Sequence, residues 1–373
     1  MNYKFIPRFY YALSPFSYFK LRKKKSNSIY KKAVSLNSAR TGLRILLSSA
    51  SNKGLKVGVQ SYTCHTVFQA IQKAGHIPVF IDMTEGLQLC LVDLKIKVNQ
   101  LDALIVTHTF GFPERMEKIK AIAQDVVIIE DCAHSFLSSR KGVITGELGD
   151  ASIFSTGLGK FPAIGAGGFC LINDKDKFPF FDEEYSKMTP VRYLSRSISF
   201  IKTLFFSILM KAPFYGLITY PLGKMMDSKL DFIDKFSFKE NLNSSWVNRV
   251  FYSNQKTFLK QLDIQKSNAN YLLSLLNTNI KTITINTGDE PNYYVFPILI
   301  EHRDQLFTEL LENNIEPGKH FSKSLIWAQE FGYNSGDSNI TEMIIKQVIT
   351  LPIHKGINKN GIKKMAEIVN KYA

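Results

Sequence analysis

Short apolar runs alternate with helix-like segments through the first half of the chain. The runs occupy residues 57–59, 78–81, 103–107, 126–129 and 151–154. Segments with apolar residues at helical spacing lie between them, at 66–74 and 116–123. Strands that are apolar throughout and separated by helices are typical of a mostly parallel sheet with helices on both faces. The pattern therefore predicts an α/β fold.

The alternation of strands and helices stops after Ile172 and returns near the C-terminus. Residues 176–248 form an insertion that lacks it. The segments that follow predict a long helix at 249–276, strands at 280–285 and 293–300, and helices at 304–312 and 360–372. This arrangement indicates a second, smaller α/β unit.

The chain length and the change in pattern predict three parts. Residues 1–35 form an N-terminal arm, residues 36–248 a large domain that includes the insertion, and residues 249–373 a small C-terminal domain. A hydrophobic content of 45% in 373 residues is enough to bury a sizeable core.

The formal net charge of +15 is concentrated in two blocks. No Asp or Glu precedes Asp82, and none lies between Glu184 and Asp227, whereas Lys and Arg recur in both stretches. Both blocks are also rich in aromatic and aliphatic residues, which favours an anionic membrane surface over nucleic acid as a partner. For residues 1–35, packing on a partner subunit explains the aromatic residues equally well.

Residues 204–223 are apolar enough to raise the question of a transmembrane helix. Lys211, Pro213, Gly216 and Pro221 interrupt this segment. We therefore predict that it is buried in protein or lies at a membrane interface, and that it does not span the bilayer.

The N-terminus and the cysteines indicate a cytoplasmic protein. The first residues lack the uninterrupted apolar stretch of a secretory signal. The four cysteines occur singly, without the spacing of a zinc site or a disulfide framework. We expect no metal site, and we expect any membrane contact to be peripheral and at the inner face.

Candidate catalytic residues are concentrated between residues 130 and 168. Asp131 and Ser155 each follow a predicted strand, and the carboxyl ends of parallel strands border the ligand crevice. Lys160 lies in a turn rich in glycine and apolar residues. Desolvation there would lower the pKa of its amine and make the amine a nucleophile. Most lysines in loops, however, are solvated. Asp131 is also consistent with a helix N-cap, and His134 with a satisfied polar residue at a helix start.

A second candidate site lies at the start of a predicted helix. Ser38, Ala39 and Arg40 precede its apolar residues. The N-terminus of a helix favours phosphate, and Arg40 adds a cation, although ordinary helix caps share this pattern. A lysine, a buried carboxylate and a phosphate-binding turn are what pyridoxal phosphate requires of a protein.

The chain resembles the DegT/DnrJ/EryC1/StrS family of sugar aminotransferases. The motifs that carry the resemblance are Glu130-Asp131, Phe154-Ser155 with Lys160 five residues after the serine, and the segment from Gly165 to Gly168. The resemblance covers most of residues 36–373 apart from the insertion. It implies the fold of fold-type-I pyridoxal-phosphate enzymes, in which a large domain with a mostly parallel, helix-covered sheet is followed by a smaller α/β domain.

The resemblance implies a role for each matching residue around pyridoxal 5'-phosphate. Lys160 forms the Schiff base, Asp131 pairs with the ring nitrogen, and His134 lies near the phenolic oxygen. Ser155 holds the phosphate together with the backbone of Ala39 and Arg40.

Cys64 departs from the family pattern, since many members have an aromatic residue there that stacks on the cofactor ring. Tyr62 or His65 is expected to contribute instead. Asn248, Arg249 and His320 complete the predicted substrate contacts.

The resemblance implies an aminotransferase that moves an amino group, from glutamate, to a keto-sugar linked to a nucleotide, for polysaccharide or glycoconjugate biosynthesis. Relatives that dehydrate sugars carry His at the lysine position, so Lys160 favours transamination. A homodimer is expected, because a second subunit completes the site in the family. The alternatives are a lipid-linked sugar as acceptor and a non-catalytic membrane or assembly protein on the same scaffold.

Overall fold

A computed structural model describes residues 5–9, 13–20, 30, 32–51, 54–211, 213–227 and 240–373. The aromatic residues Tyr10 and Tyr11 and the basic run at 22–25, on which part of the predicted N-terminal membrane contact rests, lie outside these described residues.

A seven-stranded sheet forms the centre of the large domain. In the order in which they pair, its strands are β1 Val34–Leu36, β9 Gly168–Ile172, β8 Ala151–Ser155, β5 Val127–Asp131, β4 Ala103–Thr107, β2 Lys56–Gln60 and β3 Ile77–Ile81. The strands from β8 to β3 are parallel, and β9 and β1 are antiparallel to their neighbours. The mostly parallel sheet is confirmed, and the five predicted strands end within two residues of their predicted bounds.

Helices cover both faces of this sheet, because each central strand is apolar on both sides. Along β4, Ile105 packs into one core, and Leu104 and Val106 pack into the core on the opposite face. The first core lies under α1 Ala39–Ala50 and α2 His65–Lys73, and the second under α3 Leu91–Lys97 and α4 Met116–Ile122. Burial on both faces is what makes these strands continuous apolar runs in the sequence.

The insertion is helical in its described part. It contains α5 Phe181–Ser186, α6 Tyr193–Leu209, a π-helix at Tyr215–Thr219 and α7 Tyr220–Asp227. Glu184 on α5 pairs with Arg44 of α1 at 2.9 Å, which fixes the start of the insertion on the large domain. Among the described residues, no helix combines the length and apolarity needed to cross a membrane.

The C-terminal unit contains a three-stranded antiparallel sheet of β10 Lys281–Thr282, β12 Phe296–Leu299 and β13 Val348–Leu351. Its helices are α8 Ser245–Ser253, α9 Gln255–Leu275, α10 Arg303–Glu312, α11 Ser324–Gln329, α12 Asn339–Ile344 and α13 Lys359–Val369. A further sheet of β6 Ser139–Arg140, β7 Val143–Ile144 and β11 Asp289–Glu290 joins this unit to the large domain.

Two predicted elements of this unit differ in the structure. The long helix predicted at 249–276 is divided at Asn254, whose side chain donates hydrogen bonds to the carbonyls of Val250 and Ser17. The strand predicted at 280–285 is only Lys281–Thr282. An apolar pattern does not reveal where a side chain will bond to a distant segment, so it misses such breaks.

The described part of the N-terminal arm packs on its own chain. Ile6 exchanges backbone hydrogen bonds with Asn314 and Glu316, at 2.8 and 2.9 Å. The hydroxyl of Tyr18 is buried and donates to the carbonyl of Ile164. The last residues of the predicted arm begin β1, so the arm leads directly into the central sheet.

The carboxylate of Glu130 is buried at the carboxyl end of the sheet. It accepts hydrogen bonds from the backbone N–H groups of Gly146, Leu148 and Gly149, at 2.6 to 2.9 Å, and it pairs with Nε2 of His108 at 2.8 Å. Glu130 therefore holds the loop before β8 against β4 and β5.

Replacing Glu130 with Ala should destabilise the fold. Several buried donors would lose their acceptor, and each such loss costs about 1–3 kcal/mol, so we expect the free energy of unfolding to fall by about 3 kcal/mol or more. Urea denaturation followed by circular dichroism measures this change. Glu147→Ala in the same loop is the matched control, because Glu147 is exposed. Equal unfolding midpoints for the two variants would contradict the role of Glu130.

Candidate active site

A cleft of about 210 Å³ opens at the carboxyl ends of β5 and β8, beside the N-termini of α1 and α2. Seven residues singled out from the sequence line it together, namely Ala39, Arg40, Cys64, His65, Asp131, Ser155 and Lys160. They come from four separate segments of the chain. The topology of the sheet brings these segments together, as expected at the carboxyl edge of a parallel sheet.

Asp131 is the last residue of β5 and is buried. One of its oxygens accepts the N–H of Ala133 at 2.9 Å. Burial raises the pKa of this carboxyl, while the Ala133 hydrogen bond and the charges of Lys160 and His108 offset part of the rise. In this fully described stretch no helix begins at Asp131 or His134, so the helix-start interpretation of both residues is wrong. Asp131 instead closes a tight turn and borders the cleft.

Lys160 lies in the turn after β8, and its backbone N–H donates to the carbonyl of Gly157. Burial lowers the pKa of its amine, and nearby Arg40 lowers it further, whereas Cys64 and Asp131 act in the opposite direction. A lowered pKa increases the share of neutral amine, which is the form that acts as nucleophile and base.

The N-terminus of α1 forms one wall of the cleft. Its cap, Ser38, accepts the N–H of Thr41 at 3.3 Å, and Ala39 and Arg40 border the cleft. This wall combines the positive end of a helix dipole with a guanidinium group, and Ser155 faces it with a hydroxyl, a set of groups that suits a phosphate. Burial lowers the pKa of Arg40, against the opposing effect of Cys64.

Gly168 allows α1 to begin this close to the sheet. A Cβ atom at this position would lie 2.6 Å from the carbonyl oxygen of Phe154 and 2.7 Å from the backbone nitrogen of Ala39. A residue without a Cβ atom lets two backbone segments approach closely. At Gly168 the close approach is to the start of α1. This glycine therefore allows α1 to lie at the edge of the cleft.

Cys64 caps α2 and faces Lys160 across the cleft. The Oγ1 hydroxyl of Thr66 donates to its sulfur at 3.3 Å, and Nδ1 of His65 lies 3.8 Å from it. Burial by itself raises the pKa of the thiol. The hydrogen bonds from His65 and Thr66 and the positive charges of His65 and Lys160 outweigh burial, so the pKa falls to about 7.

His134 lies in an aromatic cluster next to Lys160. Its ring stacks on Tyr294 at 4.4 Å, and Phe110 and Phe321 are nearly parallel to it at 5.9 and 5.6 Å. Nδ1 accepts the N–H of Phe110 at 3.3 Å, which places the proton of the neutral ring on Nε2. Burial lowers the pKa of His134 well below its usual value, and the charges of Lys160 and His320 add to this. The ring is therefore neutral.

His320 and Tyr62 belong to the same cluster, and like His134 they do not line the cleft. Nδ1 of His320 lies 2.7 Å from Oγ1 of Thr350, and its ring meets Tyr294 edge-on at 6.1 Å. The buried hydroxyl of Tyr62 donates to the carbonyl of His320 at 2.7 Å. Tyr62 thus holds the loop that carries His320.

Asn248 and Arg249 lie on α8, outside the lining of the cleft. Oδ1 of Asn248 accepts hydrogen bonds from Ser35 and Asn243 and thereby ties α8 to β1. Asn248 lies beside Gly168 and Phe169 of β9.

Several residues of the site were not predicted from the sequence. Tyr294 stacks on His134, donates a hydrogen bond to the carbonyl of Gly159, and its ring centre lies 5.7 Å from Nζ of Lys160. Phe9 of the N-terminal arm stacks on Tyr294 at 5.7 Å. The only signal in the sequence is the aromatic composition of the arm and of residues 293–294.

His108, Glu130 and Cys132 place potential metal ligands within 4.8 Å of one another. Glu130 is already bonded to His108 and to three backbone N–H groups, and Nδ1 of His108 accepts the N–H of Glu114 at 3.0 Å. Protein hydrogen bonds thus already engage the Glu130 carboxylate and both ring nitrogens of His108.

A model of the DegT/DnrJ/EryC1/StrS aminotransferase family matches residues 26–179 and 256–370 of the chain. The stretch between the two matched blocks contains most of the insertion. GDP-perosamine synthase of Escherichia coli O157:H7 is 35% identical over 134 residues, which are 35% of this chain and 37% of that protein. The chain thus aligns with less than half the length of this relative.

Other relatives align over more of the chain. A dTDP-3-amino-3,6-dideoxy-alpha-D-galactopyranose transaminase of Aneurinibacillus thermoaerophilus is 24% identical over 86% of this chain and 79% of its own length. Helicobacter pylori PseC, an aminotransferase involved in the biosynthesis of pseudoaminic acid, superposes with a TM-score of 0.75 at 14% identity and covers 99% of both chains. At that identity the superposition shows a shared fold.

The pKa of Cys64 predicts selective alkylation. In protein dialysed free of small molecules, we expect the rate of Cys64 alkylation by iodoacetamide to rise through pH 7, as measured by peptide mass spectrometry. Burial raises the pKa of Cys132 and Cys170, so these should stay unmodified.

His65→Gln is the matched variant for this prediction. Losing the hydrogen bond and charge of His65 should move the Cys64 profile upward, toward the value of about 8.5 for a free cysteine. A wild-type profile already centred near that value would contradict the proposed environment of Cys64.

Proposed function

The chain belongs to the DegT/DnrJ/EryC1/StrS aminotransferase family, and we propose that it transfers an amino group from glutamate to the keto carbon of a nucleotide-linked sugar, with pyridoxal 5'-phosphate as cofactor. The observation that carries the proposal is the meeting of Asp131, Ser155 and Lys160 with the N-terminus of α1 in one cleft. The names of the perosamine synthase and the dTDP-sugar transaminase support a nucleotide-linked acceptor.

The residues of the cleft fit this cofactor. Arg40, Ser155 and the start of α1 would hold its phosphate, Asp131 its ring nitrogen and Lys160 its aldehyde carbon. The pKa of Asp131 is raised because its carboxyl is buried. A cation beside it, such as a protonated ring nitrogen, would stabilise the charged carboxylate. When bound, the cofactor supplies a ring that withdraws electrons from the carbon at which a proton is removed.

Each side chain then has a defined task. Burial favours the neutral form of the Lys160 amine. This amine would take the proton from the α-carbon of the amino donor and deliver it to the carbon of the cofactor that receives the amino group. The carboxylate of Asp131 would supply the negative charge at the end of the site that holds the ring nitrogen. The neutral His134 offers its Nε2–H as a hydrogen-bond donor, and the stack with Tyr294 fixes the plane of its ring.

A second, smaller cavity on the other side of Lys160 supports an anionic substrate. It is lined by Arg8, Tyr294, His354 and Lys355 among others. Within the described residues, no acceptor lies at hydrogen-bond distance from the buried Nε of Arg8. A buried guanidinium N–H without an acceptor is costly, and a carboxylate or diphosphate of the substrate would supply one.

The proposal includes a homodimer in the cytoplasm, as the family resemblance implies. A non-catalytic scaffold protein is disfavoured, because a lysine, a carboxylate and an anion-binding wall line the same cleft. A lipid-linked sugar is the alternative acceptor, and the exposed apolar side chains of α6 favour it.

Lys160→Ala should abolish cofactor attachment and activity. We expect borohydride treatment of the wild type with pyridoxal phosphate to label the peptide that contains Lys160, and the variant to stay unlabelled. Transamination from glutamate should fall by on the order of 10³-fold or more. Lys95→Ala, an exposed lysine on α3, is the control and should behave as wild type. A wild type that binds no pyridoxal phosphate would refute the proposal.

Arg8→Ala should weaken substrate binding more than turnover. A lost charge-assisted hydrogen bond costs about 1.5–3 kcal/mol, so KM should rise about tenfold or more, with a smaller change in kcat. Steady-state kinetics with glutamate and a nucleotide-linked keto-sugar would show which substrate Arg8 binds. Arg8→Lys should recover part of the loss, and Lys20→Ala, on the same arm, should have no effect. Unchanged KM values for both substrates would contradict the assignment.

A further inference from the structure

Helix α6 presents an apolar stripe to solvent. Leu194, Ile198, Ile201, Phe205 and Ile208 repeat at intervals of four and three residues, which places them on one face of the helix. All five side chains are between 40% and 70% exposed. We refer to these five residues as the α6 stripe.

Helix α6 is apolar on its exposed side as well as on its packed side, where Phe200 and Leu204 contact a buried cluster. Thr203 and Ser207 are the buried residues of the helix, and the hydroxyl of Ser207 is bonded to the carbonyl of Leu204. A surface helix ordinarily turns its apolar side to the core and its polar side to water. Exposed contiguous apolar surface of this kind marks a binding surface.

Neighbouring elements add exposed apolar side chains. The 3₁₀-helix Pro15–Phe19 packs against α6 through Phe19 and Phe200, whose rings meet edge-on at 5.8 Å, and it leaves Phe16 83% exposed. Residues after α6 do the same, since Leu217 and Leu222 are about half exposed. The apolar surface is therefore not confined to one helix.

Every charged residue between Tyr185 and Met226 is basic. Residues 185–226 contain no Asp or Glu. Arg192 and Lys202 are exposed at the start and in the middle of α6, and Lys20 is exposed on the adjacent arm. Lys202 adjoins Ile198 and Phe205 on the helix surface, because residues three and four apart are neighbours.

A second copy of this chain is a poor occupant for the stripe. A two-fold interface places the same surface of both copies together, and the cations of both would then meet with no acid of residues 185–226 to pair with them. An anionic bilayer meets both requirements, because its acyl region takes up apolar side chains and its headgroups pair with cations.

We propose that α6 lies in the surface of an anionic phospholipid bilayer, with the α6 stripe below the headgroups and Arg192 and Lys202 among them. This binding is independent of the proposed transamination, because none of these residues lines the cleft. Lys160→Ala should therefore bind vesicles like the wild type, so failure of one proposal does not imply failure of the other.

Vesicle co-sedimentation tests the proposal with the full chain. We expect binding to vesicles of phosphatidylcholine with phosphatidylglycerol, weaker binding to phosphatidylcholine alone, and loss of the difference at high salt, which screens exposed charges. The combined variant Leu194→Ser, Ile201→Ser and Phe205→Ser should lower the binding constant about tenfold or more, because it removes three of the five apolar side chains that would enter the bilayer. Lys202→Glu should weaken binding only to the anionic vesicles.

Val92→Ser with Ile96→Ser is the matched control. These residues of α3 are 70% and 73% exposed. Helix α3 packs on the buried cluster that contains Leu94, whereas α6 packs on the separate cluster that contains Phe251, so the change should leave vesicle binding intact. Sedimentation velocity on every variant reports folding and oligomeric state. The proposal is overturned if wild type binds neither vesicle, or if the stripe variant loses self-association and not vesicle binding.

Discussion

The buried carboxylate of Glu130 is the interaction on which the cleft depends. It joins the ends of β4 and β5 to the loop that precedes β8, through His108 and three backbone N–H groups. Asp131 follows it on β5, and Ser155 and Lys160 lie at the end of β8 and beyond. One buried acceptor thus fixes the relative positions of the groups that act on a ligand, and it also explains why two adjacent acidic residues have different roles.

Partial burial of several charges gives the cleft its chemistry. Lys160, Arg40 and Asp131 are close enough to influence one another, and burial shifts each of their pKa values toward the neutral form. A ligand that carries a phosphate at one end and a protonated ring nitrogen at the other would relieve both shifts, because it brings an anion to Arg40 and a cation to Asp131. The charge of Lys160 also helps to lower the pKa of Cys64.

The N-terminal arm and the insertion lie outside the central sheet and differ in where their side chains point. The arm brings Arg8 and Phe9 close to Lys160. Arg8 lines the smaller cavity beside Lys160, and Phe9 stacks on Tyr294. The insertion instead directs apolar side chains outward, along α6. Both segments are basic and aromatic in the sequence, yet Arg8 and Phe9 of the arm point toward the site while the α6 stripe points to solvent.

The sequence by itself determined the parallel sheet, its strand ends, and the group of Asp131, Ser155 and Lys160, because apolar runs and short motifs are local features. Only the tertiary structure decided which side chains surround that group. The stack of Tyr294 on His134 joins residues 160 positions apart. The break at Asn254 depends on a hydrogen bond to Ser17. Such contacts join segments that are distant in the sequence, and the local pattern of one segment does not indicate its partner. Only the folded chain brings them together.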